Sequence, residues 1–554
     1  MKYIAEVRLK GSTFVIIRQT LRELSGQHGC HCQATISNAI IRAVENKLRK
    51  MPLEPHNNNA MHVSSRSFLL EGQGSIEISS TPTEAQASIV RSLIKVVLHQ
   101  IGTSGRYNLT EGQENLLVSL CVESLQIEPV AQKMSFQQAC KSTAKEVLNV
   151  FESPDSSIMK AGEKSSLLTR KTFFINCYCC LEDYAAKPDF SNISEEFDKI
   201  DIQDVEDCAD DDETLVAAHP LLSGISISQD TLAQSKIHLL PSSDYEGLWE
   251  SLQFDDNIKQ RLFSYATISL KLSRFSQQRV SQALVSNNKI LLVHGPPGTG
   301  KTTVCKALCQ KLAIRFNNQS HKVFQSDDYQ AIMIELSCSR IFSRWFGESA
   351  KNLDKIFQDV ENLLTNVSNK DRFVCLLMDE VETLASSRSS LMNKNETTDG
   401  IRVVNTLLTK LDSLKKYHNL LILATSNLVS SLDEAFLDRA DGVFYAGNPS
   451  ENGTSMILSS TISELIKTGV ISCKEGISIL EDTDVQESVR HIARRCVDAG
   501  VSGRTLRKLP LISLSEQLSS LPVTIRDFML ALAFTVKQKA HQTQDSISGR
   551  RTDA

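Results

Sequence analysis

The sequence predicts an α/β fold: a parallel sheet with helices on both faces, a smaller helical domain after it and a mixed α+β region before it. Three observations carry this expectation. After Tyr245, short apolar runs at 290–293, 331–336, 373–378, 420–424 and 442–445 alternate with helix-period segments, the signature of βαβ units with right-handed crossovers. Within this region a strand, a glycine loop and an amphipathic helix follow one another without a gap over 289–312. Beyond Asn448 the strand-like runs stop and leucine-spaced helical patterns replace them.

Residues 1–194 mix strand-like runs (3–9 and 172–178) with helical ones (88–100 and 135–151), and the Pro/Asn/His-rich 52–61 reads as a loop. No internal repeat and no catalytic motif stands out there. The segment 195–243 opens with eleven acidic residues and one lysine between Glu195 and Glu213. Like-charge repulsion and low hydrophobicity predict a solvated linker, with an acidic docking segment for a basic partner as the other reading. Residues 244–448 form the α/β part, 449–537 the small helical part and 538–554 a polar tail expected to fray.

The 554 residues leave room for several domain-sized units with ample core. With 23% charged residues, a net charge of −5 and a pI near 6.2, the chain has the balance of an ordinary soluble protein, not of a dominant nucleic-acid surface. The first ten residues alternate like a strand and do not resemble a signal peptide. No run approaches the roughly eighteen apolar residues of a membrane span. The 14 cysteines are scattered through apolar segments. Cys30-His31-Cys32 and Cys177-Tyr178-Cys179-Cys180 lack the paired spacing of a zinc site, so buried reduced thiols in a cytosolic or nuclear setting are expected.

Chemistry concentrates at Gly295-Pro296-Pro297-Gly298-Thr299-Gly300-Lys301-Thr302, a complete G-x-x-x-x-G-K-[ST] phosphate loop followed by Thr303. Glycines let backbone N–H groups approach phosphate oxygens, and the helix N-terminus adds partial positive charge. Lys301 is expected on the β- and γ-phosphates, with the Thr302 hydroxyl as a Mg²⁺ ligand. The strand at 373–378 ends in Asp379 and Glu380, at the sheet edge where open α/β folds hold ligands. Asp379 suits the Mg²⁺ shell and Glu380 suits polarising the attacking water. Asn427 ends the parallel strand 420–424 in polar residues, where an amide can hold that water or can simply terminate the strand. Arg439 and Arg504 are cations of the kind phosphoryl transfer uses, although taken singly each reads better as an ordinary surface arginine.

Taken together, residues 245–536 resemble an AAA+ ATPase and, more narrowly, the pachytene checkpoint family of HORMA-domain remodellers. The segments GLWESL at 247–252, LLVHGPPGTGKTTVCKALCQKLAIR at 291–315, DEVETL at 379–384, LDRAD at 437–441 and VSGRTLRKLP at 501–510 carry the likeness. The resemblance implies an AAA+ module with a helical lid. Lys301 and Thr302 match the first Walker motif, and Asp379 and Glu380 the second. Asn427 matches sensor 1 and Arg504 sensor 2. Arg439 falls near the arginine finger supplied in trans, on a looser alignment. Trp345, Phe346 and Gly347 occupy the pore-loop position, against the alternative that a loop tryptophan is buried. Leu252 falls in the adenine pocket. The resemblance further implies ATP and Mg²⁺ as cofactors and a homohexamer. It implies HORMA-domain partners, in some cases with an adaptor, and action in the nucleus at the meiotic chromosome axis or in checkpoint control, with a cytoplasmic pool also allowed. Neither a membrane nor sequence-specific nucleic acid is expected. An AAA+ motor or loader acting on nucleic acid and a non-hydrolysing nucleotide-binding scaffold remain the competing readings.

Overall fold

The computed structural model describes residues 2–51, 61–64, 84–104, 109–130, 171–180, 235–254, 257–276, 289–316, 331–341, 348–366, 372–387, 397–472, 483–517 and 521–549. The chain divides into two compact units, whose described parts fall within Met1–Ser194 and within Glu195–Phe316 plus Asp328–Ala554.

The first unit is α+β. Strand β1 (Lys2–Leu9) leads into α1 (Gly11–Lys50), followed by β2 (Met61–Ser64), α2 (Glu84–Ser104), α3 (Glu111–Cys121), β3 (Val122–Pro129) and β4 (Thr172–Tyr178). The sheet order is β2-β3-β1-β4, with β1 antiparallel to β3 and parallel to β4. Tyr3, Ala5, Val7 and Leu9 alternate into the core, where α1 presents Phe14, Ile17, Leu21, Ile36, Ile40, Val44 and Leu48 at helical spacing. The strands at 3–9 and 172–178 and the helix around 88–100 form as expected. The predicted helix at 135–151 and nearly all of the loop at 52–61 lie outside the described residues, Met61 opening β2. The 40-residue α1 has no counterpart in the sequence reading.

The second unit holds a six-stranded sheet of order β10-β6-β9-β8-β7-β5. Its members are β5 (Ser235–Leu240), β6 (Ile290–His294), β7 (Ala331–Ser337), β8 (Phe373–Asp379), β9 (Leu420–Ser426) and β10 (Gly442–Tyr445). Five strands run parallel, as the alternation requires. Leu291, Val293, Met333, Cys375, Leu377, Leu421 and Leu423 pack on one face against α5 (Ile258–Ser276) and α6 (Lys301–Phe316). The alternate residues Leu292, Ile334, Val374, Leu376 and Ile422 are equally buried, so both faces are covered. Helices α7 (Glu348–Thr365) and α8 (Thr397–Leu414) complete the large subdomain and pack on each other.

Two expectations need correction here. The segment read as linker to residue 243 ends in β5, an edge strand running antiparallel to β7 from Ser235↔Leu336 to Leu240↔Ala331. Its alternation (Ile237, Leu239 and Leu240 buried, Lys236 exposed) is short and was masked by the acidic run before it. The buried amide of Gln310 on α6 then grips the main chain of Ser242 through both its N–H (3.1 Å) and its carbonyl (2.9 Å). At the other end, the tail read as frayed from 538 continues as helix to Gly549.

The small subdomain consists of α10 (Glu451–Lys467), α11 (Thr483–Asp498), α12 (Gly503–Gln517) and α13 (Ile525–Gly549), after the one-turn α9 (Glu434–Leu437) in the large subdomain. Leu458, Ile462, Cys496, Leu506, Leu509, Phe528 and Leu532 form its core. Strand-like structure does not stop entirely, since β11 (Ile471–Ser472) pairs with β12 (Val523–Thr524).

None of the ten described cysteines forms a disulfide, and all but Cys32 and Cys179 are buried. Cys305 and Cys309 on α6, Cys338 after β7 and Cys375 on β8 are all at most 1% exposed. The Cys309 and Cys375 sulfurs meet at 3.0 Å where α6 crosses the sheet. Among the described residues no cluster of three or more His, Cys, Asp or Glu is arranged to hold a metal, and no helix is long and apolar enough to cross a membrane.

Candidate functional site

The site grows from the end of β6. At Gly295 the chain leaves the strand with φ of 151°, and a Cβ there would stand 2.1 Å from the carbonyl oxygen of Ala446. Only glycine lets the loop pass that close to the chain leaving β10. Thr299 Oγ1 donates to the Pro296 carbonyl at 3.0 Å, and Lys301 then opens α6. Lys301 is 7% exposed, and its ammonium donates to the carbonyls of Gly295 (2.9 Å) and Pro296 (2.7 Å). Burial holds the Lys301 pKa below its ordinary value, while the nearby carboxylates of Glu382 and Asp379 act against that shift. This is a cation of low hydration, set among loop groups that a phosphate can replace as partners.

Strand order explains the rest. β9 lies between β6 and β8, so Thr425 stands opposite Val293 on one side and beside Asp379 on the other. Asp379 Oδ1 accepts from Thr302 Oγ1 at 2.6 Å and also from Thr425 Oγ1. The Glu380 N–H donates to Thr425 Oγ1 at 3.1 Å. Glu380 itself takes a left-handed conformation, φ 55° and ψ 51°, and is exposed at the sheet edge. Such a backbone is uncommon for a non-glycine residue and typical of a functional turn. The Asn427 N–H donates to Glu382 Oε1 at 3.0 Å, while Glu382 Oε2 is buried without a hydrogen-bond partner.

Across the gap, the lid closes the site. The Arg504 N–H donates to the Gly298 carbonyl at 2.9 Å, and a Cβ on Gly298 would meet Ser502 Oγ at 2.8 Å. Adjoining the lid stands α4 (Leu248–Ser251), after which Leu252 lies against the loop, its Cδ2 3.1 Å from where a Gly300 Cβ would sit. These walls enclose a cleft of about 330 Å³. Ser251, Leu252 and Gln253 line one side, Pro297–Thr303 the floor, and Asp379, Glu380, Thr425 and Asn427 the strand edge. Gly447, Pro449, Ile457, Gly503, Arg504 and Arg507 complete it. That is the size class of a small-ligand or cofactor site.

The cleft therefore gathers Leu252, Lys301, Thr302, Thr303, Asp379, Glu380, Asn427 and Arg504 from five separate stretches of sequence. Arg439 is not among its lining residues. Its Nε and Nη2 grip Asp412 at 3.1 and 2.8 Å and its Nη1 donates to the Ala435 carbonyl at 2.8 Å. Trp345, Phe346 and Gly347 lie outside the described residues. Sequence reasoning missed Thr425, Glu382 and Arg507. The sequence signal for Thr425 was only a polar residue closing an otherwise apolar strand; the structure shows it 1% exposed.

Mg²⁺ is a hard cation that takes oxygen ligands and keeps most of its shell for water and phosphate. Thr302 Oγ1 and Asp379 Oδ1, beside the first turn of α6, are a donor pair of that kind, so the residues fit a nucleotide-bound Mg²⁺.

Comparison with known proteins agrees with this architecture. Residues 291–448 match the model of the ATPase family associated with various cellular activities (AAA), and 450–540 match the TRIP13-like AAA+ ATPase lid C-terminal domain. Pachytene checkpoint protein 2 of Saccharomyces cerevisiae is 44% identical over 97% of this chain and 99% of its own length. The Homo sapiens homolog is 36% identical over 54% of this chain and 68% of its own. The solved structure of C. elegans PCH-2 superposes with a TM-score of 0.53 at 22% identity, covering 97% of this chain and 98% of that one, and so shares the fold. With full-length likeness to one member and both subdomain models satisfied, the chain belongs to the pachytene checkpoint protein 2 family of AAA+ ATPases.

Proposed function

We propose that this ATPase uses hydrolysis in the cleft to remodel HORMA-domain proteins, converting a closed, partner-bound form to an open one. The observation that carries the reading is the cleft, which holds phosphate-loop cation, Mg²⁺ ligands, carboxylate base, amide and lid arginine together. A scaffold that never turned over would have no use for that complete set. Lys301 and the loop N–H groups hold the phosphates, and Arg504 brings a second cation from the lid. Thr425 fixes the Asp379 carboxylate and the Glu380 backbone, which keeps the Glu380 carboxylate at the edge where a water must be polarised. Bound Mg²⁺ on Thr302 and Asp379 would neutralise charge on the phosphates.

In the same proposal the working unit is a homohexamer with Arg439 of each subunit serving its neighbour, and Trp345, Phe346 and Gly347 grip the substrate chain between β7 and α7. An indole offers a broad apolar face that holds an extended chain regardless of its sequence. The setting is the nucleus, on meiotic chromosomes or in checkpoint control.

The test is direct. The full chain with Mg·ATP is incubated with a HORMA-domain protein bound to its closure peptide, and peptide release is followed alongside phosphate production. Release is expected with the parent, neither release nor hydrolysis with Glu380→Gln, and hydrolysis without release with Trp345→Ala. Hydrolysis by the parent with no release from any HORMA-domain complex would overturn the substrate class while leaving the ATPase intact.

A further inference from the structure

Helix α4 is a single turn, so each of its main-chain carbonyls lacks an acceptor's usual partner further along the helix. All are nonetheless satisfied, and by side chains. Ser251 Oγ donates to Leu248 O at 2.9 Å, and Gln253 Nε2 to Glu250 O at 3.3 Å. Lys259 Nζ, from α5, donates to both Trp249 O and Leu252 O at 2.8 Å. The Ser251 carbonyl is taken by Arg507 Nη2 at 3.0 Å, which also donates to Ser251 Oγ at 3.2 Å. Lys259 and Gln253 belong to the large subdomain and move with α4. Arg507 belongs to the lid.

Arg507 follows Arg504 by three residues on α12, so the two share a face of that helix, and both line the cleft. They touch opposite ends of it. Arg504 meets the phosphate loop at Gly298, whereas Arg507 meets the wall that carries Leu252. From this we infer that Arg507 is a positioning residue that fastens the lid to α4 and so sets how long a nucleotide stays in the cleft. A lid rotation that lifts Arg507 leaves the Ser251 carbonyl unpaired and opens the wall beside Leu252. Lid angle and nucleotide retention are thereby one equilibrium. The inference rests on the cleft being the ATP site, and it deepens that reading.

The experiment measures release of a fluorescent ADP from the full chain in Mg²⁺, together with steady-state ATP hydrolysis. Arg507→Ala is expected to speed release by about 3–30-fold, the loss of the charged hydrogen bonds that one guanidinium nitrogen makes to Ser251 at a solvent-accessible rim. KM for ATP rises in step while kcat falls by much less. Arg507→Lys recovers part of the effect, because an ammonium keeps the charge and a donor for the Ser251 carbonyl but sits on a shorter stem than the guanidinium nitrogen that makes both contacts. Ser251→Ala, which keeps the carbonyl, has a smaller effect than Arg507→Ala. Arg507 is exposed, so its removal leaves no core cavity, and Arg507→Lys provides the same readout if the alanine variant folds poorly. Unchanged release in Arg507→Ala overturns the inference, as does a fall in kcat at unchanged nucleotide affinity, which would put Arg507 on the transferred phosphate. Lys301→Ala separates the two levels. If it still binds the nucleotide, the cleft reading fails. If it does not bind while Arg507→Ala behaves as the parent, only the lid fastening fails.

Discussion

Gly295→Ala and Gly247→Ala form a pair that tests the loop geometry with an internal control. Both glycines have positive φ, 151° and 70°, so an alanine at either is strained. They differ in space. A Cβ at Gly247 meets nothing within 4 Å, and one at Gly295 lands 2.1 Å from the Ala446 oxygen and 2.9 Å from its carbon. Relief would take roughly 1 Å of separation between loop and strand end, a displacement of the kind that close-packed interiors resist. The backbone there is sewn on both sides, with Ala446 N–H on His294 O at 2.7 Å and Gly295 N–H on Ser426 O at 3.2 Å. Gly247→Ala therefore costs about 1–2 kcal/mol of left-handed strain. Gly295→Ala adds an overpacking cost of similar or larger size, about 2–6 kcal/mol in all, and displaces the phosphate loop. Thermal melting and nucleotide binding on both variants decide it. Gly247→Ala should melt a few degrees low and bind ATP. Gly295→Ala should melt clearly lower and lose ATP binding. Near-parental melting and affinity in Gly295→Ala, or equal damage from both, would refute the reasoning.

Further outcomes follow from other contacts. Glu382→Gln keeps an acceptor for the Asn427 N–H and removes the charge beside Lys301, whereas Glu382→Ala removes both; hydrolysis should fall modestly in the first and by about tenfold or more in the second, measured at saturating ATP. If the two variants are equal, the hydrogen bond to Asn427 contributes nothing. Subunits carrying Arg439→Ala, mixed with Lys301→Ala subunits, should recover part of the hydrolysis each lacks alone, and absence of recovery would place the trans cation elsewhere. Burial works to raise the Glu335 carboxyl, but His238 at 3.4 Å and Lys306 at 2.6 Å outweigh it and hold it at about 2, below its ordinary 4.5. A depressed carboxylate gives stability that is present above the unfolded value and lost as pH falls from about 4.5 toward 2. Glu335→Gln should therefore be less stable at pH 7 by about 1–2 kcal/mol and show a shallower acid limb in denaturation midpoints over that window. An unchanged acid limb would mean that other carboxylates dominate it.

The parallel sheet was legible because strands buried on both faces read as unbroken apolar runs, as at 373–378 and 420–424. The loop, Asp379 and Glu380 were legible because local order fixes their chemistry, whereas Asn427 and Arg504 stood out through the family resemblance. What stayed hidden depends on contacts between distant stretches. Thr425 matters through strand register, Glu382 through the Asn427 backbone, and Arg507 through a carbonyl 256 residues away. The helix α1 escaped because its polar stretches interrupt the apolar face over 40 residues, and β5 because it follows a strongly acidic run. The polar tail read as frayed for want of apolar residues, yet Lys, Gln and Ala are good helix formers and extend α13.

The four thiols beneath the cleft give this ATPase a built-in clock for its own opening. Burial pushes the pKa of Cys305, Cys309 and Cys338 well upward, so none of them is reactive while its surroundings stay packed. A thiol reagent applied to the native chain can reach Cys305, Cys309 and Cys375 only through transient separation of α6 from the strands, and Cys338 only when the turn after β7 opens. Its reaction rate at these positions then counts excursions, in the manner of slow hydrogen exchange. Nucleotide held in the cleft favours the closed arrangement by mass action and should lengthen the interval between such excursions. A mechanical cycle that strains the large subdomain would shorten it. Modification of these four sites, resolved by peptide mapping during turnover, reads out internal strain in the working enzyme without any introduced label.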